Sequence, residues 1–367
     1  MHYLARWKLR GVRPYVPGKP IEELARELGI KGEIIKLASN ENPLGPSPLA
    51  VKAVENIIKD AHLYPDDSSY VLIDKLSRLN NVSVDEIILG NGSVEIMLMI
   101  ALGFVNPGET IIASEKSFIM YKIVSDIIGA NFKEVPMAGG KIDLQGILNA
   151  ITDDTKVIFI ANPNNPTGTF NPKEEVEDFM NKVRDDVIVV WDEAYYEYAR
   201  GEDFKETIGY VKEGRNVVIL RTFSKIYGLA GLRVGYGFAK KEIIDVLRRV
   251  RLPFNVNSFA QVAAINALDD KEHVEKSVKI NMEGLQFLYQ ELSDLGLKYY
   301  KSRGNFILVD FGIDSDKPYK YLLERGIITR PVKNYNLPTC LRISVGLPEQ
   351  NKKLVEAIRE FVKNGNC

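Results

Sequence analysis

The chain has 367 residues, 45% of them hydrophobic and 26% charged, enough for more than one domain around a large buried core. Its formal net charge of −1, with basic residues spread along the chain, argues against a nucleic-acid partner. Two cysteines, Cys340 and Cys367, and three histidines outside any motif, His2, His62 and His273, exclude a disulfide framework, a histidine-based triad and a cysteine- or histidine-rich metal centre.

The first ten residues hold no apolar core of signal-peptide length, and no segment approaches a membrane span. The longest apolar run, Ile96 to Val105, is broken by Gly103 and reads as a buried helix. With so few cysteines, the expected location is the reducing cytoplasm. Residues 1–45 read as an irregular arm, with turns at Arg13-Pro-Tyr15, Pro17-Gly18 and Asn42-Pro43 and a short helix over Ile21–Leu28.

From Ser47 the pattern alternates. Helices are expected at Leu49–Ile58, Tyr70–Leu79, Val94–Leu102, Met120–Ile128 and Lys173–Val183. Strands are expected at Ile87–Leu89, Thr110–Ala113, Val157–Ile160, Val187–Trp191, Val217–Leu220 and Gly235–Ala239. Such alternation predicts an α/β fold, a mostly parallel central sheet between helices. A break follows Leu252-Pro253, and an amphipathic stretch runs from Lys271 to Leu295. Strands at Phe306–Asp310 and Leu341–Val345 and a helix over Lys352–Val362 predict a second, smaller α/β unit. The expected division is an arm over 1–45 packed with the smaller unit, a large domain over 46–265 and a small domain over 266–367.

Ligands of open parallel sheets bind at the carboxyl ends of the strands, and four strand candidates here end in unusual polar residues. After Ile87–Leu89 comes Gly90-Asn-Gly-Ser-Val-Glu95, whose glycines and free helix N–H groups suit a phosphate, or simply a turn before a helix. After Val157–Ile160 comes Asn162-Pro-Asn-Asn-Pro-Thr-Gly168, a rigid loop that would present Asn165 at the sheet edge. After Val187–Val190 comes Trp191-Asp-Glu-Ala-Tyr195. An acid leaving a central strand needs a cation, and for Asp192 either a salt-bridge partner or a pyridinium nitrogen would serve. After Val217–Leu220 comes Arg221-Thr-Phe-Ser-Lys225, with Arg233 and three glycines following. A lysine leaving a buried strand is desolvated and nucleophilic toward a carbonyl, and Ser224 with Arg233 could hold a phosphate. Alone, this stretch fits a solvated lysine at a strand-to-loop junction equally well. Together the four suit pyridoxal phosphate bound through Lys225.

Ser39-Asn-Glu-Asn-Pro43, Asn162–Gly168, Asp192-Glu-Ala-Tyr195, Thr222-Phe-Ser-Lys225 and Leu341-Arg-Ile-Ser-Val-Gly346 resemble, in this order, the motifs of the class I and II aminotransferases of pyridoxal-phosphate fold type I. A narrower likeness, to the branch that acts on histidinol phosphate, rests on Arg13-Pro-Tyr15, Tyr64-Pro-Asp66, Arg251–Asn257 and Ser302-Arg-Gly-Asn-Phe306. The resemblance implies a homodimer with shared sites, no metal, and histidinol phosphate and 2-oxoglutarate as substrates. It assigns Lys225 to the cofactor aldehyde, Asp192 to the pyridine nitrogen, and Tyr195 and Asn165 to the ring oxygen. Gly92, Ser93, Ser224 and Arg233 would hold the phosphate, joined by Tyr64 of a neighbouring subunit. Phe118 falls where the family usually has a tyrosine stacked on the ring. Arg342, Arg330, Tyr15 and Asn42 would bind substrate, though outside the motif the two arginines would suit surface ion pairs. An aromatic aminotransferase would use the same cofactor residues, and a phosphothreonine decarboxylase many of them. A non-catalytic regulator on this fold would need an added DNA-binding domain, for which no segment is expected.

Overall fold

The computed structural model describes residues 33–366 without a break, residues 19–29, and the single positions 4, 6, 9, 12 and 14. Tyr15 and Cys367 lie outside the described residues. Seven strands, β1 (Ile87–Gly90), β2 (Thr110–Ser114), β3 (Asn131–Val135), β4 (Thr155–Ala161), β5 (Ile188–Asp192), β6 (Val217–Thr222) and β7 (Gly235–Ala239), form one sheet in the order β1-β7-β6-β5-β4-β2-β3. Only β7 runs antiparallel to its neighbours. The unbroken apolar runs of β4, β5 and β6 follow from burial on both faces. Alternate residues divide between two cores: Ile158, Ile160, Val189, Trp191 and Ile219 pack on one side, and Val157, Phe159, Val190, Val218 and Leu220 on the other.

Most expected elements are present within a residue or two, and Ile21–Leu28, Met120–Ile128, Gly235–Ala239 and Phe306–Asp310 coincide with helices and strands of the structure. Strand β3 was not expected. It is the sheet edge, reads Asn-Phe-Lys-Glu-Val and buries only Val135 fully, so neither alternation nor apolarity marks it. Helices Leu144–Ala150, Lys241–Val250 and Ser258–Ala267 also lay outside the expected set. The last is alanine-rich and largely buried, so its apolar face has no contrasting polar one.

A second sheet is antiparallel throughout and contains β8 (Lys298–Tyr300), β9 (Phe306–Asp310), β10 (Arg330–Val332) and β11 (Leu337–Ser344) in the order β10-β11-β9-β8. Its core residues Ile307, Val309, Leu341 and Ile343 pack on helices Lys271–Asp294 and Pro348–Phe361. Between the sheets runs a strap. Ile35 and Lys36 pair with Ile327 and Ile328, and the chain then passes along the end of β11, where the Ser344 N–H donates to the Leu37 carbonyl at 2.8 Å. It continues to Gly45, against the loop that carries Lys225. Gly228 in that loop has φ +68°, and a Cβ there would collide with the Gly45 carbonyl. Gly228→Ala therefore combines a left-handed backbone with a backbone clash. A stability loss of about 2–4 kcal/mol is expected, read as a lowered urea midpoint.

Candidate active site

Because β4, β5 and β6 are parallel and β1 points the same way through antiparallel β7, their carboxyl ends meet at one edge. The residues just beyond those ends line one cavity of about 680 Å³. Lys225 follows β6 between buried Phe223 and Ile226, and its Nζ donates to the Ser39 carbonyl at 2.9 Å. Burial first, then the Arg342 guanidinium, pulls its pKa down to about 7. Much of the amine is therefore neutral at neutral pH, ready to attack a carbonyl carbon.

Asp192 ends β5. Its Oδ2 accepts from the Tyr121 hydroxyl at 2.8 Å and its Oδ1 from the Ala194 N–H at 3.2 Å. Burial pushes its pKa up to about 6 against these hydrogen bonds, so the carboxylate prevails at neutral pH and would be stabilised further by a cation. Tyr195, its phenol raised by burial to about 12, stays protonated and accepts from Asn40 Nδ2 at 2.8 Å. The Asn165 Oδ1 accepts from Arg342 Nη1 at 2.6 Å, which leaves the Nδ2 end as a donor for a ligand.

An anion cradle adjoins the lysine. Gly92 (φ 80°) leads into helix Ser93–Phe104, whose first-turn N–H groups favour negative charge. Arg233, itself at φ 60°, donates to the Ala230 carbonyl at 3.0 Å and lies 3.5 Å from the Ser224 hydroxyl. A Cβ on Gly92 would meet Arg233 Nη2 at 2.5 Å, and one on Gly235 would meet the Ser93 nitrogen at 2.5 Å. Two glycines thus let a guanidinium and a helix N-terminus come close together, an arrangement that suits one small anion. A phosphorylated pyridine aldehyde fits this donor set: cradle, amine and carboxylate lie on one cavity wall.

Opposite, on the smaller sheet, Arg330 and Arg342 are direct partners across β10 and β11 and both line the cavity. Arg342 is buried, donates from Nη2 to the Ala38 carbonyl at 2.7 Å, and has no hydrogen-bond partner at Nε. Adjacent guanidiniums repel unless an anion lies between them, so this end suits a carboxylate or phosphate.

Lys225, Asp192, Tyr195, Asn165, Gly92, Ser93, Phe118, Ser224, Arg233, Arg330 and Arg342 thus border one cavity. Asn42 does not, and its expected place among the substrate residues is corrected. Its Nδ2 donates to the Ile226 carbonyl at 2.7 Å and the Ser277 hydroxyl at 2.8 Å, and its Oδ1 accepts from the Leu44 N–H. The whole amide is spent holding the strap behind the lysine. Tyr64 is 82% exposed, stacked on Phe254 with ring centres 4.7 Å apart, and stands outside its own chain's cavity. Tyr15 is not among the described residues. Sequence reasoning missed Asn40, two residues from Asn42 with nothing to distinguish them. It also missed Tyr121, whose spacing from Phe118 places it one helical turn further on but reads equally as core.

The family model described as aminotransferase class I and II matches residues 32–358. A histidinol-phosphate aminotransferase of Moorella thermoacetica is 46% identical over 97% of this chain and 92% of its own length. A histidinol-phosphate aminotransferase 2 of Pseudomonas fluorescens is 46% identical over 98% of this chain and 97% of its own. Among solved structures, histidinol-phosphate aminotransferase from Sinorhizobium meliloti in complex with pyridoxal 5′-phosphate superposes with a TM-score of 0.88. It is 27% identical and covers 98% of this chain and 97% of that one.

Removing the Tyr121 hydroxyl tests the hold on Asp192. In Tyr121→Phe the Asp192 pKa, already raised to about 6, loses a donor to its anion and rises further. Titrated with pyridoxal phosphate, the variant should bind about tenfold more weakly, and the pH below which binding fails should move up by about one unit. An unmoved pH limit would show that Tyr121 serves packing alone.

Proposed function

The chain belongs to the class I and II aminotransferases, and from that premise we propose that it transfers the amino group of histidinol phosphate to 2-oxoglutarate, with pyridoxal phosphate as cofactor. The products are imidazole acetol phosphate and glutamate, in histidine biosynthesis. The observation that carries the reading is the lysine amine of pKa about 7 in one cavity with a buried carboxylate and a glycine-lined anion cradle. The relatives of 46% identity over nearly the full chain direct it to histidinol phosphate.

In this reading Lys225 would hold the cofactor through its aldehyde, Asp192 would accept a hydrogen bond from its pyridine nitrogen, and Tyr195 and Asn165 would donate to its ring oxygen. Gly92, Ser93, Ser224 and Arg233 hold the phosphate. Phe118 would stack on the ring and, lacking a phenol, would add no hydrogen bond there. Bound pyridoxal phosphate supplies an electron sink that allows the substrate's α-C–H bond to ionise. Lys225 would also be the base that takes that α-proton, and its depressed pKa suits it to the task near neutral pH. Asp192 keeps its negative charge beside the ring nitrogen throughout. Arg342 and Arg330 would clamp the substrate phosphate in one half-reaction and the carboxylates of glutamate in the other.

We further propose a homodimer with shared sites. Tyr64, Leu63, Leu252 and Phe254 form an exposed apolar cluster, and the loops bearing them are pinned by Arg251 on Asp67 at 3.0 and 2.6 Å. A rigid apolar surface of this kind suits a second copy, whose cofactor phosphate Tyr64 would reach. We also propose a large domain over 46–265, a small domain over 266–367 to which the arm belongs, and a cytoplasmic location. No helix among the described residues is long and apolar enough to cross a membrane.

Protein saturated with pyridoxal phosphate should be yellow, and Lys225→Ala should lose the colour and the activity together; a variant that stays active removes Lys225 from the chemistry. Asp192→Asn should retain the cofactor while turnover falls about 10³–10⁴-fold, for roughly 4–6 kcal/mol of lost transition-state stabilisation. Glutamate formation should favour histidinol phosphate over phenylalanine and tyrosine. Arg330→Ala should reduce kcat/KM for histidinol phosphate more than for the aromatic amino acids. Equal losses would bring the aromatic reading level. Finally, Lys225→Ala and Tyr64→Ala subunits, each inactive alone, should regain activity when mixed and reassembled, since one of the two shared sites is then intact. Absence of complementation removes Tyr64 from the site.

A further inference from the structure

Behind the site lies a buried ion pair that none of these roles uses. Asp192 and Thr222 line the cavity and their chain neighbours Glu193 and Arg221 do not, as strand alternation requires. The side chains of Glu193 and Arg221 are 1% and 4% exposed. Arg221 Nε donates to Glu193 Oε2 at 2.9 Å, and Nη2 lies 2.8 Å from the same oxygen. The other oxygen, Oε1, accepts from the Thr207 hydroxyl at 2.6 Å. The guanidinium carbon sits 3.4 Å from the centre of the Tyr196 ring, and Nη1 donates to Asn80 Oδ1 at 3.3 Å. The Glu193 N–H donates to the Leu220 carbonyl at 2.8 Å, which carries the β5–β6 ladder one step beyond Asp192.

Desolvating two charges offsets most of their attraction, so stability alone is a weak reason for a buried pair. What the charged pair adds is direction. One carboxylate oxygen must face Nε while the other faces Thr207, and this fixes the rotation of both strand ends at once. Asp192 is one residue from Glu193; Ser224 and Lys225 are three and four from Arg221. The geometry points to Glu193 and Arg221 as positioning residues. Their ion pair across β5 and β6 sets the spacing and angle between Asp192 on one strand end and Ser224 and Lys225 on the other. Those two ends must grip one rigid ring at its nitrogen, its aldehyde carbon and its phosphate. The inference rests on the cofactor proposed above, whose fixed size is what makes the spacing matter.

The test uses the full chain with pyridoxal phosphate as probe. In Arg221→Met the dissociation constant for the probe should rise about tenfold or more and kcat fall by a similar factor, with KM for histidinol phosphate within about threefold. In the double variant Arg221→Met, Glu193→Leu, the Tm of the apo-protein should return close to the wild-type value while the dissociation constant stays raised. If affinity and kcat recover along with Tm, the inference is overturned and the pair is a stability element. Should Arg221→Met not fold, Glu193→Gln decides, since it keeps the size, removes the charge and leaves one accepting oxygen where the carboxylate has two. A loss of affinity of about threefold or more at unchanged Tm supports the positioning role, and affinity and kcat within about twofold of wild type overturn it. Wild-type protein that fails to bind the probe would defeat the cofactor reading itself, whereas variants that move Tm alone would defeat this inference and leave that reading standing.

Discussion

The lysine amine is half-buried at the end of a strand buried on both faces, and the rest of the site follows from that constraint. Lys225 leaves a strand buried on both faces, and desolvation alone would make its protonated form costly. Arg342 and Arg233 add to the cost by repulsion. The cavity wall carries four basic side chains, Lys225, Arg233, Arg330 and Arg342, against two carboxylates, Asp192 and Glu95. Glu95 is already engaged by the Asn91 N–H at 2.6 Å and by Asn255 Nδ2 at 2.7 Å. The imbalance leaves the site short of negative charge. An anion bound in the cradle at Arg233, or beside Arg330 and Arg342, would offset the imbalance and stabilise the fold that holds it.

The sequence made the cavity wall legible for a topological reason. Parallel strands end on the same side, so polar residues that each follow an apolar run converge without any knowledge of tertiary contacts. Lys225, Asp192, Asn165 and Gly92 were all legible in this way. Legibility failed where the deciding fact was a contact and not a strand end. Asn40 and Asn42 sit two residues apart in one motif. Only the packing of Ser277 and Ile226 against Asn42 shows which amide is used up and which faces Tyr195. Tyr121 reads as core from its helix, and it is core; its ring stacks on Phe159 at 4.7 Å while its hydroxyl reaches Asp192. The edge strand β3 was invisible because solvent, and not a second layer, covers most of it.

Arg221 and Glu193 stood in motifs quoted for other residues, and spacing gave no reason to single them out. A charged residue in a buried strand is a costly choice, but the sequence does not reveal which face it takes until the strand order is known. With β5 beside β6, Asp192 opposite Leu220 and Glu193 following, the pair becomes a cross-strand neighbour on the face away from the cavity. Arg221 also lies near Phe238 of antiparallel β7, so three adjacent strands meet at one guanidinium.

The strap joins these parts into a single device. Four consecutive carbonyls accept from four different groups: Leu37 from the Ser344 N–H, Ala38 from Arg342 Nη2, Ser39 from Lys225 Nζ, and Asn40 from Asn305 Nδ2. The substrate-side arginine and the lysine are thus held by adjacent peptide units. A ligand that draws the amine from Ser39 leaves a carbonyl in need of a donor, at a cost of about 1–3 kcal/mol if none arrives. The peptide units on either side are fixed to the smaller sheet through β11 and to Asn305, so Ser39 has little freedom to turn toward solvent. That carbonyl must be met by the ligand, by water or by the returning lysine. The bond from Lys225 to Ser39 therefore gives the free amine one defined arrangement.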